Sequence, residues 1–203
     1  MNEYTQKLHA GSEFPVIKVP TLAGAEVQLG HTRSPYDWQL VVVYRGRHCP
    51  MCSKYLTQLS AVTEQLHSLG IDVIAVSADS KEQLERHLEE LTVPFPIAYN
   101  LSLAQMRALG LYVSDPRSPE ETDHPFAEPG LFVVNAQQRL HVVDISNNPF
   151  VRPELSTLVS GLKWIRDVNN NYPIRGMRKE VGLNEYSVSY CHDDAVGMPA
   201  RSS

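Results

Sequence analysis

Hydrophobic positions along the chain switch between two spacings, and the switch points divide it into short strands and amphipathic helices. Val16-Ile17-Lys18-Val19 and Glu26-Val27-Gln28-Leu29 read as two short strands separated by a turn at Ala23-Gly24. A buried central strand is predicted over roughly residues 39–44, where Val41, Val42 and Val43 stand in a row behind Trp38. From Cys52 the apolar residues fall at Leu56, Leu59, Val62, Leu66 and Leu69, three or four apart, which predicts a long helix stopped by Gly70. Ile71-Asp72-Val73-Ile74-Ala75-Val76-Ser77 is a second buried strand. Ser80-x-x-Gln83 is a capping box opening a helix with Leu84, Leu88 and Leu91 on one face.

Pro94 and Pro96 bracket a short strand ending near Tyr99, and a brief helix runs from Ser102 to Leu109, with Met106 as a core position. Residues 115–128 are an acidic, proline-rich loop containing His124, and loops of that length inside a compact domain are often functional. Leu131–Val134 and Leu140–Asp144 form an antiparallel hairpin, in which strict alternation puts His141 on the opposite face from Leu140 and Val142. Pro153 starts a last helix, whose stripe is Leu155, Leu158, Val159, Leu162 and Ile165 and whose end is Asn169-Asn170-Asn171.

The element order is ββ, then β–α–β–α–β–α, then β–β–α. It predicts an α/β fold, a central sheet flanked by helices on both faces behind an N-terminal hairpin. At 203 residues the chain suffices for one well-buried domain, placed at 8–176, with a polar extension at 177–203. The net charge of −5 and the lack of a basic tract beyond Arg45–Arg47 argue against nucleic-acid binding. No apolar run is long enough to cross a bilayer. The first twelve residues are too polar for a signal peptide, and three cysteines without one predict a cytoplasmic, reducing setting.

The chemistry concentrates in Tyr44-Arg45-Gly46-Arg47-His48-Cys49-Pro50-Met51-Cys52. Cys49 falls at the N-cap of the long helix, with Pro50 at the first helical position, where its missing N–H costs nothing. Unpaired N–H groups at a helix start stabilise a thiolate, and Arg45, Arg47 and a charged His48 would push the same way. Cys52, three residues on, lies one turn away, within reach of a mixed disulfide formed at Cys49. Cys49 is therefore expected to be the more exposed and the more acidic of the pair. The other readings are half of a zinc site, for which only Cys191 and His192 could complete the ligands, and two inert buried thiols.

On this motif, together with Leu109-Gly110 after a short helix and Gly130-Leu131-Phe132-Val133-Val134-Asn135, the chain resembles the thioredoxin-fold superfamily over roughly residues 8–170. It is most similar to the peroxiredoxin-like branch of the alkyl hydroperoxide reductase/thiol-specific antioxidant family. The resemblance implies a thioredoxin-like fold and an oxidoreductase that reduces peroxides or protein or small-molecule disulfides, with no cofactor and no metal. It implies a thioredoxin- or glutathione-type thiol reductant as partner, and it allows a homodimer.

It also implies that Pro129 is the cis-proline facing the pair, turning the Glu128 backbone toward a bound thiol partner; a trans strand-edge proline is the alternative. Two departures stand out. The family's Pro-x₃-Thr-x₂-Cys has Val42 and Gly46 at its proline and threonine positions here, and its later arginine aligns with Pro129 or a neighbour and is absent. A redox-sensing module, whose disulfide switches partner binding without turnover, is the reading from a different class. Cys191 reads as a bystander, since Cys52 has the higher effective concentration at Cys49; a distant resolving or inter-chain cysteine and a metal ligand are the alternatives.

Overall fold

The computed structural model describes residues 6–178. β1 (Lys18–Pro20) and β2 (Glu26–Gln28) pair as a separate antiparallel hairpin. The two β-branched runs then become β3 (Trp38–Val43) and, after the helix α1 (Pro50–Ser68), β4 (Ile71–Val76). They pair in parallel with Leu40 beside Val73 and Val43 beside Val76. A second helix, α2 (Lys81–Glu90), leads to β5 (Ile97–Ala98), parallel to β4. After α3 (Leu103–Ala108), β6 (Val113–Ser114) and β7 (Phe126–Ala127) make a two-residue ladder of their own. β8 (Gly130–Val134) runs antiparallel to β3, β9 (Leu140–Ile145) antiparallel to β8, and α4 (Leu155–Arg166) closes the fold. The main sheet therefore has the mixed order β5-β4-β3-β8-β9.

Side-chain alternation along β3 divides the core in two. Leu40 and Val42 face one side, with Val73, Leu131 and Val133, and there they meet Leu56, Leu59 and Leu66 of α1, Leu84 of α2 and Leu162 of α4. Val41 and Val43 face the other, with Ile74, Phe132 and Val134, under Met106 of α3 and the hairpin residues Ile17, Val19 and Leu29. Covered on both faces, β3 and β4 carry no polar alternation, and their apolar runs follow from that. Both capping boxes form: Ser80 with Gln83 and Ser102 with Gln105 each exchange two hydrogen bonds at their helix starts. α4 begins two residues later than Pro153, because the Glu154 carboxylate takes the cap and accepts from the Ser156 and Thr157 N–H groups.

Three expectations are corrected. Leu140 and Val142 do not share a face: Val133 pairs with Val142 but Val134 with Leu140, so His141 is a bulge residue, half a step that sends Leu140 into one core and Val142 toward the other. The ring of His141 is buried, tilted over Trp38 at 4.7 Å. The 115–128 loop has structured ends, because Phe126 and Ala127 are buried strand residues paired with Val113 and Ser114. Glu128–Pro129 is trans; the cis peptide among the described residues is Ser34–Pro35. Glu128 continues the line of β7 and donates its N–H to the Tyr112 carbonyl at 2.8 Å, so that N–H is already paired as the backbone runs on into β8. Cys191 and the 177–203 extension, except for its first two residues, lie outside the described residues.

The face shared by α1 and the sheet carries the cysteine helix, so its packing sets both stability and site geometry. Leu59→Ala, at a fully buried position of α1, is expected to cost about 2–5 kcal/mol. The check is the urea midpoint, which should fall with the slope unchanged.

Candidate active site

β3 ends at Val43, and six residues later, at Cys49, the chain must cap a helix beside it. Gly46 makes the turn at φ +130°, a conformation that side chains rarely adopt. A Cβ there would strike the Asp79 carboxylate, which comes from the connection between β4 and α2. Asp79 is buried, and its Oδ2 accepts the Arg47 N–H at 2.8 Å. Burial raises its carboxyl pKa above the usual range. This clamp delivers Cys49 to the N-cap of α1, with Pro50 at the first helical position. The Cys49 carbonyl accepts from the N–H groups of Cys52 and Ser53.

Both cysteines are free thiols, and both are buried, Cys49 at 2% exposure and Cys52 at 0%. Cys49 is the more exposed of the two only by this narrow margin, because the helix start sits inside the core cluster that also holds Tyr44, Tyr55 and Leu56. The two sulfurs are driven in opposite directions. Cys49 is lowered to about 6, first because the Cys52 side chain hydrogen-bonds to it, then through the Cys52 N–H and the charges of Arg152 and Arg45, against the opposing effect of burial. Burial, and the hydrogen bond to Cys49, push the Cys52 thiol up.

Arg152, from the segment between β9 and α4, donates Nη2–H to Cys52 Sγ at 2.8 Å. Its Nε and Nη1 are buried without hydrogen-bond partners, and its guanidinium lies 5.0 Å over the Tyr55 ring. Sequence reasoning missed it. The residue stands a hundred positions from Cys52, and nothing in its neighbourhood except a helix start distinguishes it.

The residues expected around the thiolate divide into three groups. Arg45 lies near the pair, 4.5 Å over the Phe126 ring, but is held by carboxylates: Glu121 at 3.4 Å and Glu128 at 3.5 Å. Glu128 also accepts from Ser114 Oγ at 2.7 Å. Arg47 points its charge elsewhere, to Glu90 at 3.4 Å, and acts in the site through its backbone. His48 is not the cation anticipated: burial first, and then the charge of Arg45, lower it to about 4, so the ring is neutral at ordinary pH. It packs 4.6 Å from Phe126, with both ring nitrogens buried and unbonded. Tyr44 is fully buried, its hydroxyl 3.4 Å from His87 Nδ1, while His87 Nε2 lies 2.9 Å from Ser53 Oγ. Pro129 and Arg152 together line a small hollow of about 10 Å³.

Beside His48 lies a larger cavity of about 640 Å³, walled by the active-site turn, the start of α2 and the 117–122 part of the long loop. Glu121 anchors that loop. Hydrogen bonds from the Arg117 N–H and side chain hold its carboxyl down to about 2, and it reaches Arg45 as well.

Against known proteins, the model of the AhpC/TSA family matches residues 10–143. A peroxiredoxin from Aeropyrum pernix is 28% identical over 134 residues, covering 63% of this chain and 50% of that protein, so the chain spans about half the length of this relative. Among solved structures, a peroxiredoxin-like protein from Aquifex aeolicus superposes with a TM-score of 0.64 at 16% identity, covering 78% of this chain and 88% of its own. Mycobacterium tuberculosis AhpC superposes with the same score at 14% identity, over 80% of this chain and 96% of its own.

Three outcomes follow from this geometry. An acid lowered to about 6 is deprotonated above that pH, so thiolate absorbance at 240 nm should rise with a midpoint near 6 and vanish in Cys49→Ser. In Cys52→Ala, which removes the main hydrogen bond to Cys49, the midpoint should move upward. Gly46→Ala should destabilise the fold by about 1–3 kcal/mol through backbone strain and the collision with Asp79, read as a lower melting temperature.

Proposed function

We propose that this chain, which belongs to the AhpC/TSA family, is a thiol oxidoreductase in which Cys49 is the nucleophile and Cys52 the resolving thiol. The observation that carries the reading is the opposite displacement of two thiols one helical turn apart, with an arginine on the second. A thiolate is available at Cys49 near neutral pH, and a protonated thiol stands ready beside it.

With a peroxide, the Cys49 thiolate attacks the O–O bond. One oxygen leaves as an alcohol or water after taking a proton, and Cys49 becomes a sulfenic acid. Cys52 then attacks that sulfur; the S–S bond forms, the S–O bond breaks, and water departs with the thiol proton. With a disulfide substrate, Cys49 displaces one half and Cys52 releases the other. In either case the protein ends as the Cys49–Cys52 disulfide, which an external thiol must reduce.

Arg152 has a part in that last step. When a reductant attacks Cys49, the electron pair of the broken S–S bond stays on the Cys52 sulfur, where Arg152 Nη2 already donates. A better-stabilised leaving thiolate leaves faster. The cytoplasmic setting, the absence of a cofactor and the choice between peroxide and disulfide belong to this proposal.

The test is hydrogen peroxide consumption and insulin disulfide reduction on one preparation, with dithiothreitol as reductant. Cys49→Ser should abolish turnover. Cys52→Ser should stop it after one equivalent, with a sulfenic acid at Cys49 that dimedone labels. Cys191→Ser should leave the cycle running. Turnover that survives in Cys49→Ser, or a cycle that depends on Cys191 and not on Cys52, would sink the assignment.

A further inference from the structure

Cys52 gives up a proton each time it attacks Cys49 and takes one back each time the disulfide opens. Its side chain is fully buried, and burial keeps it a thiol, so simple ionisation does not supply the attacking thiolate. Two neighbours cannot take the proton. Arg152, on the sulfur, is a donor with no acceptor. The Tyr55 hydroxyl gives its own hydrogen bond to the Pro153 carbonyl at 3.0 Å.

A buried base stands behind the pair. Tyr44, which follows β3, belongs to the same core cluster as Cys52. Burial raises its pKa, and negative charge on Asp79 and on the Cys52 sulfur adds to the rise, so the hydroxyl lies within electrostatic reach of both. That hydroxyl is 3.4 Å from His87 Nδ1, and Ser77 also hydrogen-bonds it. His87 comes from α2 and is 2% exposed, with Nε2 at 2.9 Å from Ser53 Oγ. Ser53 in turn donates its N–H to the Cys49 carbonyl at 3.2 Å.

Packing alone does not ask for a histidine here. Position 87 lies one turn from Leu84 on the inward face of α2, where an apolar side chain would serve. Instead both ring nitrogens meet hydroxyls, one from the end of β3 and one from the first turns of α1. The charges that reach the ring are Arg47 from the active-site turn and Glu90 from α2 itself. Burial first, and then Arg47, lower its pKa against the effect of Glu90, so the ring is neutral and ready to accept.

We infer that His87 is the internal base for Cys52, acting through the Tyr44 hydroxyl, an inference that rests on the functional reading above. As the Cys52 sulfur bonds to Cys49, its proton passes to Tyr44 Oη and the Tyr44 proton passes to His87 Nδ1. The electron pair of the S–H bond becomes the new S–S bond. The bond from Cys49 to its oxygen or substrate sulfur breaks, and that group leaves with the pair. A substrate sulfur departs as a thiolate; an oxygen departs as water, with the stored proton as its net source. When an external thiol reopens the disulfide, the pair returns to Cys52 and a proton follows by the same route, with that thiol as its net source. His87 touches no reacting atom and works by its position behind Tyr44.

The test separates the two attacks with dithionitrobenzoate, on the full chain carrying Cys191→Ser so that the pair alone reacts. Cys49 releases the first thionitrobenzoate and Cys52 the second. This leaving group departs as a stable thiolate, so the proton that moves in the second phase is that of Cys52. With His87 and Tyr44 in place, the second phase should be independent of pH from 7 to 9. In His87→Gln and in Tyr44→Phe, the ratio of second-phase to first-phase rates should fall about a hundredfold at pH 7. The gap should narrow as pH rises, because hydroxide replaces the lost base, whereas loosened packing would slow the step alike at every pH. A fall of less than about tenfold in either variant, or one that stays constant to pH 9, overturns the inference. So does a second phase that climbs about tenfold per pH unit before either substitution, a result that needs neither variant to fold. If Cys52→Ser loses the second release while the ratio in the His87 and Tyr44 variants stays at its starting value, the inference falls alone. If Cys52→Ser keeps the second release, the functional reading falls and takes the inference with it.

Discussion

The grip of the Asp79 carboxylate on the Gly46-Arg47 turn is the constraint on which the site depends. β3 and β4 run in parallel and end together, and each must hand over to a helix on the same face of the sheet. Asp79, leaving β4, accepts the Arg47 N–H and fills the space where a side chain at residue 46 would stand. The two crossovers are thereby locked to each other, and the start of α1 is fixed against the edge of the sheet. Placing a carboxylate in a buried position is costly, and its raised pKa records that cost. The return is a helix start that cannot drift away from the strand end.

The same clamp explains why this chain lacks the threonine that the family motif carries three residues before its cysteine. That position is Gly46, and no residue with a Cβ fits there while Asp79 occupies it. What the hydroxyl would have offered at the thiolate must come from elsewhere. Here the first hydrogen bond to Cys49 comes from Cys52, and the nearby cation that no carboxylate holds among the described residues is Arg152, from the segment between β9 and α4. Arg45 is paired with Glu121 and Glu128, and its effect on Cys49 ranks below that of Arg152.

Local patterns carried the fold well. The β-branched runs, the two capping boxes and the Cys49-Pro50 helix start lie where spacing puts them, because each is decided within a few residues by backbone sterics and one or two hydrogen bonds. What periodicity missed was settled by distant partners. The bulge at His141 arises from the register of β8 against β9, which neither strand specifies alone. His48 looks like a cation in sequence; burial against Phe126 and the nearness of Arg45 make it neutral. Pro129 matches the position of a cis-proline, yet the strand pairing of Phe126, Ala127 and Glu128 with residues 112–114 carries the chain straight through it. Arg152 left no trace at all, since its role depends on the packing of α4 against α1.

A loop rich in Asp, Glu and Pro reads as solvated surface, but only six of the fourteen residues from 115 to 128 are exposed. Yet Glu121 turns inward, accepts three donors from Arg117 and Arg45, and ties the loop to the active-site turn through the same arginine that flanks Cys49. With β6 and β7 closing its base, the loop is held at both ends and at its middle. A segment so fixed forms a permanent wall. The polar cavity beside it is therefore held in shape by the fold itself.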